Sequence, residues 1–214
     1  LVNPANGSFQ PASSVILNWT NATDADGDSV QYYVFLNGSI RTIVGNNGTI
    51  LTGLPDGFYN WSVNVTDTKG NSTSNPIFYF TIDTLQARTL YLPPTEANNT
   101  FRTTNTLSVN LSVFDANVAN LTFFLFNTTG LVNSTFYTLT SNTTNVSINY
   151  TSLLPNMRYT YNVTILDKAG NANTTETRTL TLDNTQARTL FISPTEANNT
   201  FRNAQDFIML NASV

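Results

Sequence analysis

Leu54-Pro55-Asp56-Gly57-Phe58-Tyr59-Asn60-Trp61-Ser62-Val63-Asn64-Val65-Thr66 is the most informative run in this 214-residue chain. From Tyr59 onward, Tyr59, Trp61, Val63 and Val65 alternate with Asn60, Ser62, Asn64 and Thr66. A period of two puts every apolar side chain on one face of an extended chain, so the run reads as a half-buried strand entered through an Asp56-Gly57 turn. About one hundred residues on, Leu154-Pro155 leads into Tyr159, Tyr161, Val163 and Ile165, which alternate with Thr160, Asn162 and Thr164. Leu107, Val109, Leu111 and Val113 alternate with Ser108, Asn110 and Ser112 in the same manner. No window carries a sustained helical stripe.

The spacing of these strands exposes an internal repeat. Gln86-Ala87-Arg88-Thr89-Leu90 recurs as Gln186-Ala187-Arg188-Thr189-Leu190, and Pro94 to Arg102 recurs as Pro194 to Arg202. Asp67, Gly70 and Asn71 recur as Asp167, Gly170 and Asn171. Separate regions agreeing on one period define units at 1–84 and 85–184 and an incomplete third at 185–214. Turn signals such as Lys69-Gly70-Asn71 and Ala169-Gly170-Asn171 punctuate the strands about every ten residues. Units of roughly 85 to 100 residues with about seven such strands are expected to be antiparallel β-sandwiches.

Leu54 to Val63, the following Val65-Thr66-Asp67-Thr68-Lys69-Gly70-Asn71 and the strand ending Thr81-Ile82-Asp83-Thr84 resemble the E-F corner, strand F, F-G turn and strand G of immunoglobulin-like (Ig-like) or fibronectin type III-like (FnIII-like) repeats. Leu166 to Asn171 with Thr179-Leu180-Thr181-Leu182-Asp183 is similar to the same stretch of tandem repeats in archaeal and bacterial cell-surface proteins. The resemblance covers nearly the whole chain. It implies an all-β array of tandem antiparallel Ig-like/FnIII-like β-sandwiches on a cell surface, whose members serve as spacers, adhesins or filament subunits.

Composition narrows the chemistry. There is no cysteine and no histidine, which excludes a Cys/His zinc site, a thiol nucleophile, a Ser-His-Asp triad and disulfides. Nine Lys+Arg against thirteen Asp+Glu leave a net charge of −4, far from the basic footprint of a nucleic-acid binder. Charged residues are only 10% of the chain, while Asn and Thr supply about three residues in ten, so the polarity is amide and hydroxyl. No stretch approaches the ~18 apolar residues of a membrane span, and Leu1-Val2-Asn3-Pro4 lacks the pattern of a signal peptide. With no initiator Met, the chain reads as a piece of something longer.

The asparagines have a pattern of their own. Asn-x-Ser/Thr sequons begin at Asn6, Asn18, Asn21, Asn37, Asn47, Asn60, Asn64, Asn71, Asn98, Asn110, Asn120, Asn127, Asn133, Asn142, Asn145, Asn149, Asn162, Asn173, Asn198 and Asn211. Chance placement of 31 asparagines would give roughly seven or eight sequons, so the excess is two- to threefold. A polar strand face built from Asn and Thr makes some sequons without any modification, because residues i and i+2 share a face. The same geometry suits N-glycosylation, since at Asn60, Asn64, Asn110 and Asn162 the acceptor and its hydroxyl partner both point outward. A sugar coat would keep a weakly charged surface hydrated and guard strand edges. Together with the missing cysteines, this points to an extracellular, archaeal cell-surface glycoprotein.

Other candidate sites are sparse. Asp24, Asp26 and Asp28 resemble the start of a calcium loop, but Ser29 and Phe35 stand where an EF-hand would need Gly and an acid, so a solvated turn is the competing reading. Asp67 and Asp167 are expected to fix turns through backbone N–H groups. Tyr59, Trp61, Tyr159 and Tyr161 are expected in cores, Tyr59 and Tyr159 as corner tyrosines. Glu96, Glu176 and Glu196 are the only glutamates, too few and too repetitive for a glycosidase pair, and no enzyme and no cofactor are expected. The functional expectation is a structural segment of a surface layer, stalk or filament, with copies of itself or neighbouring repeats as partners. The alternative is an adhesin that holds a sugar or protein through its loops. The strands expected in 185–214, with Ile208 and Leu210 facing inward, need completion, either by the chain continuing or by another chain.

Overall fold

The computed structural model describes the chain apart from residues 68, 70, 71, 75, 141, 142, 193, 194, 196–211 and 214, and apart from the side chains of 72–74, 143, 191, 212 and 213. The first eight strands are β1 (Ser8–Gln10), β2 (Val15–Asn18), β3 (Gln31–Leu36), β4 (Ser39–Val44), β5 (Gly48–Leu51), β6 (Gly57–Thr66), β7 (Ser72–Ser74) and β8 (Phe78–Ile82). They form one sheet in the order β1-β8-β6-β3-β4, with β7 also on β6, and a second sheet of β2 and β5.

Nine further strands repeat the arrangement: β9 (Arg88–Leu92), β10 (Thr100–Arg102), β11 (Leu107–Phe114), β12 (Val118–Asn127), β13 (Gly130–Thr138), β14 (Thr143–Tyr150), β15 (Met157–Asp167), β16 (Ala172–Thr174) and β17 (Arg178–Leu182). Here the sheets are β10-β17-β15-β12-β13, with β16 on β15, and β14-β11-β9. Beyond them β18 (Leu190–Phe191) pairs antiparallel with β19 (Ala212–Ser213). Ile208 and Leu210, expected to face inward there, lie outside the described residues.

Most pairs are antiparallel, but β1 lies parallel to β8 and β10 parallel to β17. The cause is a crossing between layers. β9 pairs antiparallel with β11 in one sheet, and the chain then passes Pro93-Pro94 and enters the other sheet as β10. Keeping its heading after the change of layer, β10 meets β17 in parallel. In the first set an isolated Asn3–Asn18 bridge plays the part of β9 before β1 pairs with β8.

The alternation in sequence is the alternation in burial. Trp61 and Val63 on β6 are fully buried, as are Tyr161, Val163 and Ile165 on β15, while the residues between them are half-buried or exposed. One core gathers Leu17, Trp19, Tyr32, Val34, Trp61, Val63, Phe80 and Ile82. The other gathers Leu107, Val109, Leu111, Leu121, Phe123, Tyr159, Tyr161 and Leu180, and the two share no residue. Ser112 breaks the expected pattern, since it sits outward on β11 yet is buried. It lies on the middle strand, with Leu90 opposite on β9 and Asn145 opposite on β14, so it has a neighbouring strand on both sides. Burial pushes the phenols of Tyr150 and Tyr161 up to about 12.

Both sets turn their corner on a tyrosine. The Tyr59 hydroxyl donates to the carbonyl of Pro55 at 2.8 Å, and the Tyr159 hydroxyl accepts the N–H of Leu154 at 2.8 Å. Each ties the loop before its strand to the strand itself. The residue immediately before each of those strands also recurs as a clamp. Asp56 Oδ1 accepts from the N–H and the hydroxyl of Thr84, and Asn156 Oδ1 accepts from the Asn184 N–H and the Thr185 hydroxyl.

Candidate functional site

The strand pleat sorts the sequon asparagines to the outside. Asn60 and Asn64 lie on β6, Asn162 on β15, Asn110 on β11, Asn120 and Asn127 on β12, and Asn145 and Asn149 on β14. Asn18 is on β2, Asn133 on β13 and Asn173 on β16, while Asn6, Asn21, Asn37, Asn47 and Asn98 are in turns and loops. None of these described acceptors is buried: Asn6, Asn18, Asn21, Asn37, Asn47, Asn98, Asn133, Asn145 and Asn149 are exposed, and the others are half-buried. Asn71, Asn142, Asn198 and Asn211 lie outside the described residues.

N-glycosylation uses the side-chain nitrogen, so the atom through which each amide bonds matters. Asn6, Asn37 and Asn98 bond through Oδ1, accepting the N–H groups of Tyr79, Asn60 and Thr179. Asn127 Oδ1 accepts from both the N–H and the hydroxyl of Thr129, and Asn133 Oδ1 accepts from the Thr135 hydroxyl. In the last two the acceptor already touches its own sequon hydroxyl. Four others donate through Nδ2: Asn47 to the carbonyl of Trp19 at 3.2 Å, Asn110 to that of Pro93 at 3.0 Å, Asn162 to the Thr177 hydroxyl at 3.0 Å, and Asn173 to the carbonyl of Ala87 at 2.7 Å.

The acids singled out in the sequence bond to the backbone of their own turns. Asp24 Oδ1 accepts the N–H groups of Asp26 and Asp28 at 2.9 and 3.0 Å, the bonding of a side-chain-fixed turn, and the three carboxylates do not converge. Asp67 Oδ1 accepts the N–H of Lys69, and Asp167 Oδ1 accepts that of Asn171, both at 2.8 Å.

The carboxylates that do converge are Asp83, Asp115 and Asp167, with one oxygen of each within 4.8 Å of the others. Among the described residues they are the group that could hold a cation. They meet where β8 gives way to β9. The pocket is also a web of protein donors: Asn117 Nδ2 reaches Asp83 Oδ2 at 2.6 Å, and Asn171 Nδ2 reaches Asp167 Oδ2 at 2.7 Å and the carbonyl of Asp83 at 2.8 Å. Burial raises the Asp115 carboxyl above its ordinary range; the Asn117 N–H opposes the shift, while Asp83 and Asp167 add to it. Asp83 was not singled out in the sequence. Its recurrence as Asp183 at the end of the equivalent strand was the available signal.

Residues 96–184 match a family model described as a bacterial Ig-like domain. No curated protein matches the sequence. Among solved structures, the fibronectin(III)-like modules of Clostridium thermocellum CbhA superpose with a TM-score of 0.50 at 11% identity, covering 85% of this chain and 92% of that one. The FN1-FN3 domains of chicken CNTN1 give a TM-score of 0.39 at 14% identity, over 84% of this chain and 62% of theirs. Layer order, corner tyrosines and the likeness to fibronectin(III)-like modules converge on one conclusion: this chain has an all-β Ig-like, fibronectin type III-like sandwich fold, with the bacterial Ig-like match confined to residues 96–184.

Proposed function

We propose that the chain is a structural segment of a heavily N-glycosylated extracellular surface protein or filament, with units at 1–84 and 85–184 and the start of a third at 185–214. The observation that carries this reading is the outward placement of the sequon acceptors, with none of the described ones buried. Sugars on these faces would supply the hydration that a surface with 10% charged residues lacks. Repeats of this class are common extracellular structural or binding modules, and the described residues contain no helix long and apolar enough to cross a membrane. The two separate cores suit a load-bearing array whose partners are neighbouring repeats or further copies of the chain.

The test is glycopeptide mass spectrometry on protein from its natural source. Glycan mass is expected on the exposed Asn145 and Asn149, and bare peptides at both would overturn the reading. Imaging of the same extract separates a filament or lattice from dispersed molecules. Dispersed molecules that bind a sugar or protein through the loops would favour an adhesin.

A further inference from the structure

Several large aromatic side chains stand on the outer face of the β1-β8-β6-β3-β4 sheet, away from both cores. Phe58 is 66% exposed and Tyr79 39% exposed, and their rings stack at 5.5 Å and 15°. Tyr33 and Phe35 on β3 are half-buried on the same outer face. Their positions follow the sequons. Asn60 on β6 lies directly opposite Tyr79 on β8, with Phe58 two residues along its own strand. Asn64 on β6 lies directly opposite Tyr33 on β3. Residues directly opposite on neighbouring strands are the nearest neighbours a sheet face offers, with Cβ atoms about 4.5–5.5 Å apart.

The second set of strands supplies a comparison within one molecule. Position 60 becomes Thr160, which starts no sequon, and its neighbours Tyr79 and Phe58 become Thr179 and Arg158. Position 64 becomes Thr164, again no sequon, and its neighbour Tyr33 becomes Thr122. At both places asparagine and aromatic vanish together. Phe35 behaves otherwise: it faces Ser62, and its counterpart Phe124 faces Asn162, so the ring is present with and without a sequon. Phe35 has Ile40 opposite it on β4 and Tyr33 has Ile43, so an apolar partner does not separate the two rings; what does is that only the ring at position 33 is lost together with its sequon.

We propose that Tyr79 with Phe58, and Tyr33, are seats for the first pyranose of N-glycans on Asn60 and Asn64. The proposal rests on the glycosylation reading above and adds to it a specific binding role for these rings. A pyranose has an apolar face of C–H bonds whose hydrogens carry slight positive charge, and an aromatic ring presents a negative face. A sugar joined to Asn60 or Asn64 already lies beside the ring, so stacking costs little additional ordering and removes apolar area from water. It also gives an apolar partner to the exposed rings of Phe58 and Tyr79.

The test uses the full chain made in an N-glycosylating host, with glycopeptide masses recorded first. Tyr33→Thr and Tyr79→Thr are the informative variants, because the second unit folds with threonine at both equivalent positions. Each is measured by reversible unfolding in the glycosylated protein and in the matching Asn64→Gln or Asn60→Gln background. The expected result is that loss of the ring lowers the folded-to-unfolded ratio about three- to tenfold more when the sugar is present, and that Tyr33→Phe keeps the difference. Occupied sites with equal effects in both backgrounds would overturn the seats and leave glycosylation standing. Bare Asn60 and Asn64 would overturn the seats, while the glycosylation reading itself stands or falls on Asn145 and Asn149.

Discussion

Tyr159 and Tyr59 occupy the same repeat position and do unequal work. Tyr159 is 1% exposed, and its hydroxyl accepts a backbone N–H that the corner leaves without another described partner. Tyr59 is half-buried, and its hydroxyl donates to a carbonyl at an exposed bond. Removing a buried partner leaves a desolvated group unpaired, whereas water replaces an exposed one. Tyr159→Phe is therefore expected to destabilise by about 1–2 kcal/mol and Tyr59→Phe by less than about 0.5 kcal/mol, read by urea unfolding of the two variants. Equal losses would show that the corner bond is not what distinguishes them. The corner tyrosines were legible in sequence from Leu-Pro followed by an alternating aromatic strand. The direction of each hydrogen bond was not, because it depends on how closely the loop backbone approaches the ring.

Among the strands, β11 and β4 mark the extremes of commitment. β11 lies between β9 and β14, and Leu107, Val109, Leu111 and Val113 on it are all buried. β4 is a sheet edge, and Ile40 and Ile43 on it are 55% and 49% exposed. Truncating a core side chain forfeits its burial and leaves a cavity, while an edge position loses little. Leu111→Ala is expected to lower stability by about 2–5 kcal/mol and Ile43→Thr by no more than about 0.5 kcal/mol, as measured by chemical denaturation. A small loss at Leu111 would mean that β11 is not the keel of its sandwich. The inward face of β11 follows from the period of two, whereas Ser39 to Val44 has no such alternation, its half-buried positions being Thr42 and Val44. Which strand is central does not follow, since that is set by the neighbours β9 and β14 that the sheet order brings to β11.

The joint between the two sandwiches is where distant parts of the chain meet. Asp83 follows the last strand of the first, while in the second Asp115 follows β11 and Asp167 ends β15. With its carboxyl raised in the folded state, Asp115 opposes folding above that raised value, and the opposition fades as pH falls toward the ordinary carboxylate range, where the unfolded chain is protonated too. In chelator-treated protein, Asp115→Asn is expected to raise the melting temperature at pH 7 by about 1–2 °C and to change nothing near pH 3. The asparagine keeps an oxygen for the Asn117 N–H while removing the charge. A lower melting temperature at pH 7 would mean that attraction from protein donors such as the Asn117 N–H outweighs the burial and the neighbouring carboxylates.

Local spacing told which side chains face inward, because a strand's two faces are set by parity and need no knowledge of the neighbours. Tyr59, Trp61 and Val63 could be placed from six consecutive residues, and the repeat placed Tyr159, Tyr161 and Val163 with them. Sequons, lack of cysteine and sparse charge are likewise properties of the chain as written, so the outward asparagine faces were visible before any fold. Pairing across strands is another matter, since a hydrogen-bonded register joins residues with no fixed separation along the chain. Tyr33 meets Asn64, and Asp83 meets Asp115 and Asp167, through the order of strands in the sheets and the turn between sandwiches. The parallel run of β10 beside β17 has the same origin, for it follows from a change of layer that no local pattern encodes.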